Sequence, residues 1–393
     1  MRNCVLLLLL LLQVMQASAQ NKDSLMARKL ADEILTNSQA YEQLRYLTKK
    51  IGARLAGSPG MVKSEKWGLA EMKKAGADKY WLQECMVPYW VRGGKDQAGY
   101  HVANKKLLHK ADVIALGNSY AGKASAEVMM VYSFEELETR KEEAKGKIVF
   151  YNYAFKPTFV KTFLAYSDAV KYRGQGPNAA AKYGAVGTVI RSMSHGDNNH
   201  PHTGGTQHDP AVNKIPAVAI GLKDADKLAK LISDGEKVKM SMQTFGYFKP
   251  DTIGHNVIGE LRGSEFPDEI ITIGGHLDSW DNCEGAHDDG AGCVQTLEVL
   301  RAFKALGYKP KRTIRFVLFA NEENGLRGGT KYAEEAKAKN EKHIFALESD
   351  AGGFTPRGFG FTLSDEQWAK VQTWQPLIAP YGASEFSRGG GGA

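Results

Sequence analysis

IITIGGHLDSWD, residues 270–281, decides the fold. Ile270–Ile273 is a short β-branched run closed by Gly274 and Gly275, the pattern of a buried strand. His276 and Asp278 follow just past its end. Working outward, GAHDDGAGCVQTLEVLRAF (residues 285–303) places Asp288 and Asp289 ahead of a helical pattern starting near Ala291. TIRFVLFANEENG (313–325) is an apolar strand over Thr313–Ala320 with Glu322 and Glu323 directly behind it. HIFALESDAGG (343–353) is a further strand, expected to end at Asp350. Strands alternating with helices predict an α/β sheet, and such sheets build their sites in the crevice outside the carboxyl ends of the strands.

One imidazole and several carboxylates delivered to such a crevice suit zinc or a similar divalent ion. A carboxylate can bridge two ions, and its neighbour can serve as general base toward a metal-activated water. Asp278 stands two residues after His276 and is expected to accept the hydrogen of the non-ligating ring nitrogen, fixing the tautomer. Each piece has a plainer reading when taken alone: a loop histidine, an aspartate pair capping a helix, a solvated glutamate pair. Their joint placement at the ends of apolar runs favours the metal site.

The segments GHLDSWD, GAHDDGAG, NEENG and LESDAGG, in this order and spacing, resemble the co-catalytic zinc peptidases of metallopeptidase family 28. KGKIVFYN (145–152) and PHTG (201–204) are similar to the carboxypeptidase Q-like branch. The resemblance implies a three-layer α/β/α peptidase domain with a mixed, mostly parallel sheet, interrupted by a β-rich insert of protease-associated type. It implies two zinc ions: His276 and Asp350 on one, Glu323 on the other, Asp288 between them, and Glu322 as the base. It also implies a cis bond between Asp288 and Asp289, a homodimer, and a further histidine ligand beyond the glycine-rich segment near Ala393, for which these residues hold no match.

The 393 residues suffice for two or three domains with real cores. A net charge of +7, with Lys and Arg interleaved among Asp and Glu, lacks the clustering that nucleic-acid binding needs. The start, MRNCVLLLLLLLQVMQASAQ, has Arg2 as a positive flank, Val5–Leu12 as an apolar core and Ala17-Ser18-Ala19 as a small-residue cleavage site. This predicts export to a secreted or periplasmic location, with no membrane span further on. Beyond Cys4, which falls within that signal, Cys85, Cys283 and Cys293 are an odd number and too few for a disulfide framework; Cys283 and Cys293 flank the Asp288 loop, where packing is favoured over a metal-ligand or disulfide role. There is no phosphate-binding glycine loop and no G-x-S-x-G elbow.

The expected organisation is a signal over 1–19, a first peptidase part over 20–110, the insert over 111–245 and a second peptidase part over 246–393. Amphipathic helices are predicted over 24–52 and after the Gly57-Ser58-Pro59-Gly60 turn, then an extended segment over 79–93. The insert has short β-rich runs and no catalytic set of its own; it is expected to cover and shape the substrate cleft. Inside it, SHGDNNHPHTGGTQHDP carries His195, His200, His202 and His208, either a cleft-lining or surface loop or a third metal site. The function expected is hydrolysis of small peptides, dipeptides in particular. The alternatives are an aminopeptidase on longer peptides and a non-catalytic binding module that keeps the fold.

Overall fold

The computed structural model describes residues 22–389, so the export signal and the last glycines lie outside the described residues. Two sheets organise the chain. The smaller has five strands in the order Lys79–Val91, Tyr247–Leu261, Arg312–Phe319, Phe266–His276, Lys342–Glu348. Four of the five run in one direction and Tyr247–Leu261 runs against them, which makes the sheet mixed and mostly parallel. Arg312–Phe319 is buried along nearly its whole length, as a strand covered on both faces must be.

Alternation along Arg312–Phe319 sends successive side chains to opposite faces. Phe316 and Leu318 pack with Met61, Met72, Leu297 and Leu300, which come from the helices Pro59–Ala75 and Ala291–Ala305. Val317 packs on the other face with Ile258 and Tyr332, the latter from the helix Arg327–Ala338. The result is the three-layer α/β/α arrangement. Pro59–Ala75 starts where its sequence says it should. Ser58 caps it by accepting the Met61 N–H at 3.2 Å, and Gly76 closes it at φ 91°.

The larger sheet has eight strands in the order His109–Ala111, Gln97–Val102, Val238–Thr244, Gly122–Val131, Ile148–Tyr151, Gly187–Arg191, Ala217–Ile220, Val113–Ala115. The run from Gly122–Val131 to Ala217–Ile220 is parallel. Two apolar clusters cover this sheet, one around Phe150, Val218 and Leu228 and one around Tyr151, Tyr172 and Ala180. The helix Thr162–Lys182 supplies Tyr172 and Ala180 to the second of these clusters. Gln97–Val102 and His109–Ala111 pair in this sheet, so the insert's sheet begins well before residue 111.

The insert leaves the smaller sheet after Val91 and returns at Tyr247, and these two residues are paired across adjacent antiparallel strands. Exit and re-entry are therefore neighbours, and a whole domain fits between them without disturbing the sheet. Among the described residues no helix is long and apolar enough to cross a membrane.

Candidate metal centre

Phe266–His276 is flanked on both sides by parallel neighbours, Arg312–Phe319 and Lys342–Glu348. Strands in a sheet stand about 4.8 Å apart. Three carboxyl ends in adjacent lanes therefore deliver His276, the Asn321–Asn324 turn and Asp350 to one place. The fourth contributor is the Asp288–Asp289 turn that feeds the helix Ala291–Ala305.

His276 is fully buried and is the hub. Its Nε2 faces Asp288 Oδ1 at 3.0 Å, Asp350 Oδ1 at 3.3 Å and Glu322 Oε2 at 3.9 Å. Despite this crowd, Nε2 makes no hydrogen bond of acceptable geometry. Burial alone would depress the imidazole pKa, but the carboxylates of Asp278, Asp288 and Asp350 hold it well above the usual value. The acids feel the reverse. Burial pushes Glu322 up to about 7, and burial with the charges of Asp288 and Asp278 pushes Glu323 up to about 9. A half-buried knot of carboxylates around an orphaned ring nitrogen fits a cation held between them.

Two neighbouring aspartates approach His276. Ligand atoms of His276, Asp289 and Asp350 lie within 4.8 Å of one another. Yet both Asp289 oxygens are occupied: Oδ2 accepts the His276 N–H at 3.0 Å and Oδ1 the Gly292 N–H at 2.8 Å. Asp288 instead presents its Oδ1 to His276 Nε2 at 3.0 Å. The peptide joining the two is cis. Asp289 is fully buried, its carboxyl pushed up to about 8 by that burial, and it ties the strand end to the helix start. Gly275 makes room for it, since a Cβ there would stand 2.5 Å from Asp289 Oδ2.

Three expectations need correction. The hydrogen of the non-ligating His276 nitrogen goes to the main-chain carbonyl of Asp278 at 3.1 Å, because the Asp278 carboxylate is 3.7 Å away. That carboxylate instead accepts the N–H groups of Glu322 at 3.0 Å and Glu323 at 3.2 Å, holding the whole turn. The strand Lys342–Glu348 stops two residues short of Asp350, which stands on the loop beyond it. Cys283 is exposed rather than packed, whereas Cys85 and Cys293 are buried; all three described cysteines are free.

Glu323 stands apart from the histidine hub, with Oε1 accepting the Trp280 N–H at 3.2 Å. The four histidines of the insert loop do not gather. His195 lies against Phe155, His202 against Tyr166, and His208 against Tyr120, with its Nε2 2.6 Å from Asn118 O.

Arg54 was visible in the sequence only as part of a motif. It is fully buried and donates to four main-chain carbonyls, Leu277 at 2.5 Å, Glu284 at 2.8 Å, Gly285 at 2.7 Å and, more weakly, Gly52 at 3.5 Å. It thereby clamps both ends of the loop between His276 and Asp288. Arg173 in the insert went unnoticed. It is 7% exposed, donates to Thr203 O and to Tyr166 Oη, and has no carboxylate partner among the described residues. Its guanidinium fills the space where Gly204 lacks a side chain, with Cζ 2.3 Å from a built Cβ. A Cβ built on the next residue, Gly205, would be 3.6 Å from Glu323 O.

The fold and the cluster define a class: a metal-dependent hydrolase on an α/β/α sheet, with a second domain beside its crevice. Comparison with known proteins narrows it. A model of peptidase family M28 matches residues 256–390, and a PA domain model matches residues 110–228. Carboxypeptidase Q of Mus musculus is 36% identical over 358 residues, 90% of this chain and 74% of the mouse protein. The Homo sapiens protein of the same name is 35% identical over 90% of this chain and 73% of its own. The structure of a peptidase M28 precursor from Shewanella amazonensis superposes with a TM-score of 0.88 at 32% identity, covering 95% of this chain and 84% of that one. An aminopeptidase from Aneurinibacillus sp. strain AM-1 shares the fold, with a TM-score of 0.61 at 23% identity over 91% of this chain and 82% of its own. The chain belongs to peptidase family M28 and is a metallopeptidase with a PA-domain insert.

Proposed function

We propose that the chain is a di-zinc exopeptidase that hydrolyses small peptides, dipeptides in particular, from their carboxyl-terminal side. His276 and Asp350 would hold one zinc, Glu323 the other, and Asp288 would stand between them. The observation that carries this reading is the buried His276 Nε2, which lacks a hydrogen bond and is ringed by carboxylates from three separate elements. Zinc supplies a lowered water pKa and a polarised peptide carbonyl when bound there.

The chain's own groups do the rest. Glu322 takes a proton from the attacking water and returns it to the leaving amine. Asp278 holds Glu322 by its main-chain N–H, and the Asp278 carbonyl fixes which ring nitrogen of His276 faces the carboxylates. Arg173, buried without a counter-charge beside the segment that meets Glu323, suits a substrate's free carboxylate. That favours the carboxypeptidase mode over release of amino-terminal residues. The likeness to the carboxypeptidase Q proteins and the apolar N-terminal run support export, and the resemblance brings a homodimer with it.

Glu322→Gln is the test. The variant is expected to keep its zinc and to lose turnover about 100- to 10,000-fold. A dipeptide hydrolysis rate equal to that of the parent protein would exclude Glu322 as the base.

A further inference from the structure

Asp278 is not the only group that reaches the glutamate turn; a second comes from two residues further along the same loop. Trp280 follows His276 by four residues, and its main-chain N–H donates to Glu323 Oε1 at 3.2 Å. Its side chain points the other way, into the insert. A Cβ on Gly117 would stand 2.1 Å from both Cη2 and Cζ3 of the indole, and one on Gly205 would stand 3.6 Å from Cζ2. Gly117 and Gly205 are themselves joined by a β-bridge. The ring is thus seated against a two-stranded edge of the insert, at a spot that only glycine leaves open.

The next residue repeats the connection with charge. Asp281 accepts two hydrogen bonds from Arg92, both 2.7 Å, in a bidentate fork. Arg92 also donates to the insert carbonyl of Ala115 at 2.7 Å and lies over Trp90, with its Cζ 4.9 Å from the ring centroid. Trp90 meets Trp280 edge to face at 6.4 Å. Asn324, directly after Glu323, donates to Asn118 of the insert at 3.3 Å.

We propose that Trp280 is a positioning residue through which the insert sets the orientation of Glu323, and that the insert is therefore a brace for one metal ligand as well as a wall of the cleft. The inference rests on the reading of Glu323 as a zinc ligand. Physically, a ligand's affinity for its ion depends on the groups that hold its carboxylate in place; removing such a group costs about 10- to 100-fold in metal affinity. Here the holding group is a main-chain N–H, and the ring attached to the same residue is fixed by a different domain.

Gly117→Ala tests this from the insert side, because the added methyl must displace the indole while leaving every metal-site residue intact. Asp281→Asn, which weakens the fork at a partly exposed residue, is the milder second variant, should the first fail to fold. The readout is zinc affinity of the full chain by chelator competition, with Glu323→Ala beside it. The brace predicts that each variant binds its weaker zinc at least about tenfold less tightly, keeps the tighter one, and keeps its melting profile. Unchanged zinc affinity with a raised KM would overturn the brace and leave the insert as a cover only. If Glu323→Ala itself leaves zinc binding unaltered, the ligand assignment fails, and that result is distinct from a failure of the brace alone.

Discussion

The two large sheets both hold parallel strands side by side, and they furnish their carboxyl ends differently. In the insert, Ile148–Tyr151 and Ala217–Ile220 are fully buried and are followed by Asn152 and Gly221, while Gly187–Arg191 between them ends on an arginine paired with Asp226, with no cluster of carboxylates. In the peptidase sheet the corresponding ends carry His276, Glu322, Glu323 and Asp350. Topology offers a crevice in both cases; only the residues standing at its edge make one of them a site. The insert instead carries a buried positive charge, Arg173, which has no carboxylate partner among the described residues. A peptide lying between the domains would meet a cation-seeking cluster on one side and an anion-seeking group on the other.

The contrast can be broken in three ways, the strongest first. Asp288→Ala removes the carboxylate nearest to His276 Nε2 and is expected to lower the zinc content measured by elemental analysis, with activity falling alongside. Full zinc occupancy in that variant would show that the charged strand ends do not need their shared member. Arg173→Met probes the other side. It is expected to raise KM for dipeptides about 10- to 100-fold, the worth of a charge-assisted hydrogen bond, while kcat for peptides blocked at the carboxyl terminus stays level. An equal loss on blocked peptides would mean that Arg173 serves only the fold.

The smallest effect is in pH dependence. Asp289, Glu322 and Glu323 have carboxyls raised to about 8, 7 and 9 by burial in the folded chain. The folded state then holds more protons than the unfolded one between the ordinary carboxylate range and those values, so stability falls as pH rises through that window. Zinc-stripped protein should therefore lose denaturant resistance from about pH 4 to pH 9, and zinc should flatten the slope. A stripped protein that is equally stable across the range would mean that the carboxylates are better solvated than the cluster implies.

Much of the site was legible because of where its residues fall along the chain. His276, Glu322 and Glu323 each follow directly behind an apolar run, so the strand reading placed them at an edge together. The partners of Asp278 were not legible. Its position two residues on from His276 puts it near the ring, but only the bend of the loop decides that the carbonyl meets Nδ1 and the carboxylate meets the glutamate turn. Arg54 lies more than two hundred residues before the loop it clamps, and no periodicity links them. Gln97–Val102 joins the insert's sheet by pairing with Val238–Thr244, a partner remote in sequence that local patterning does not name.

By itself the sequence determined the strand and helix alternation, the residues at the strand ends, and the chemistry such a set favours. These follow from local patterning, which each segment carries within itself. Tertiary structure alone decided which of two adjacent aspartates faces His276 Nε2, where the Asp278 oxygens go, and that Trp280 reaches across to Gly117 and Gly205. Those outcomes depend on distances of a few ångströms between segments remote in sequence, and packing sets such distances only once the whole chain has folded.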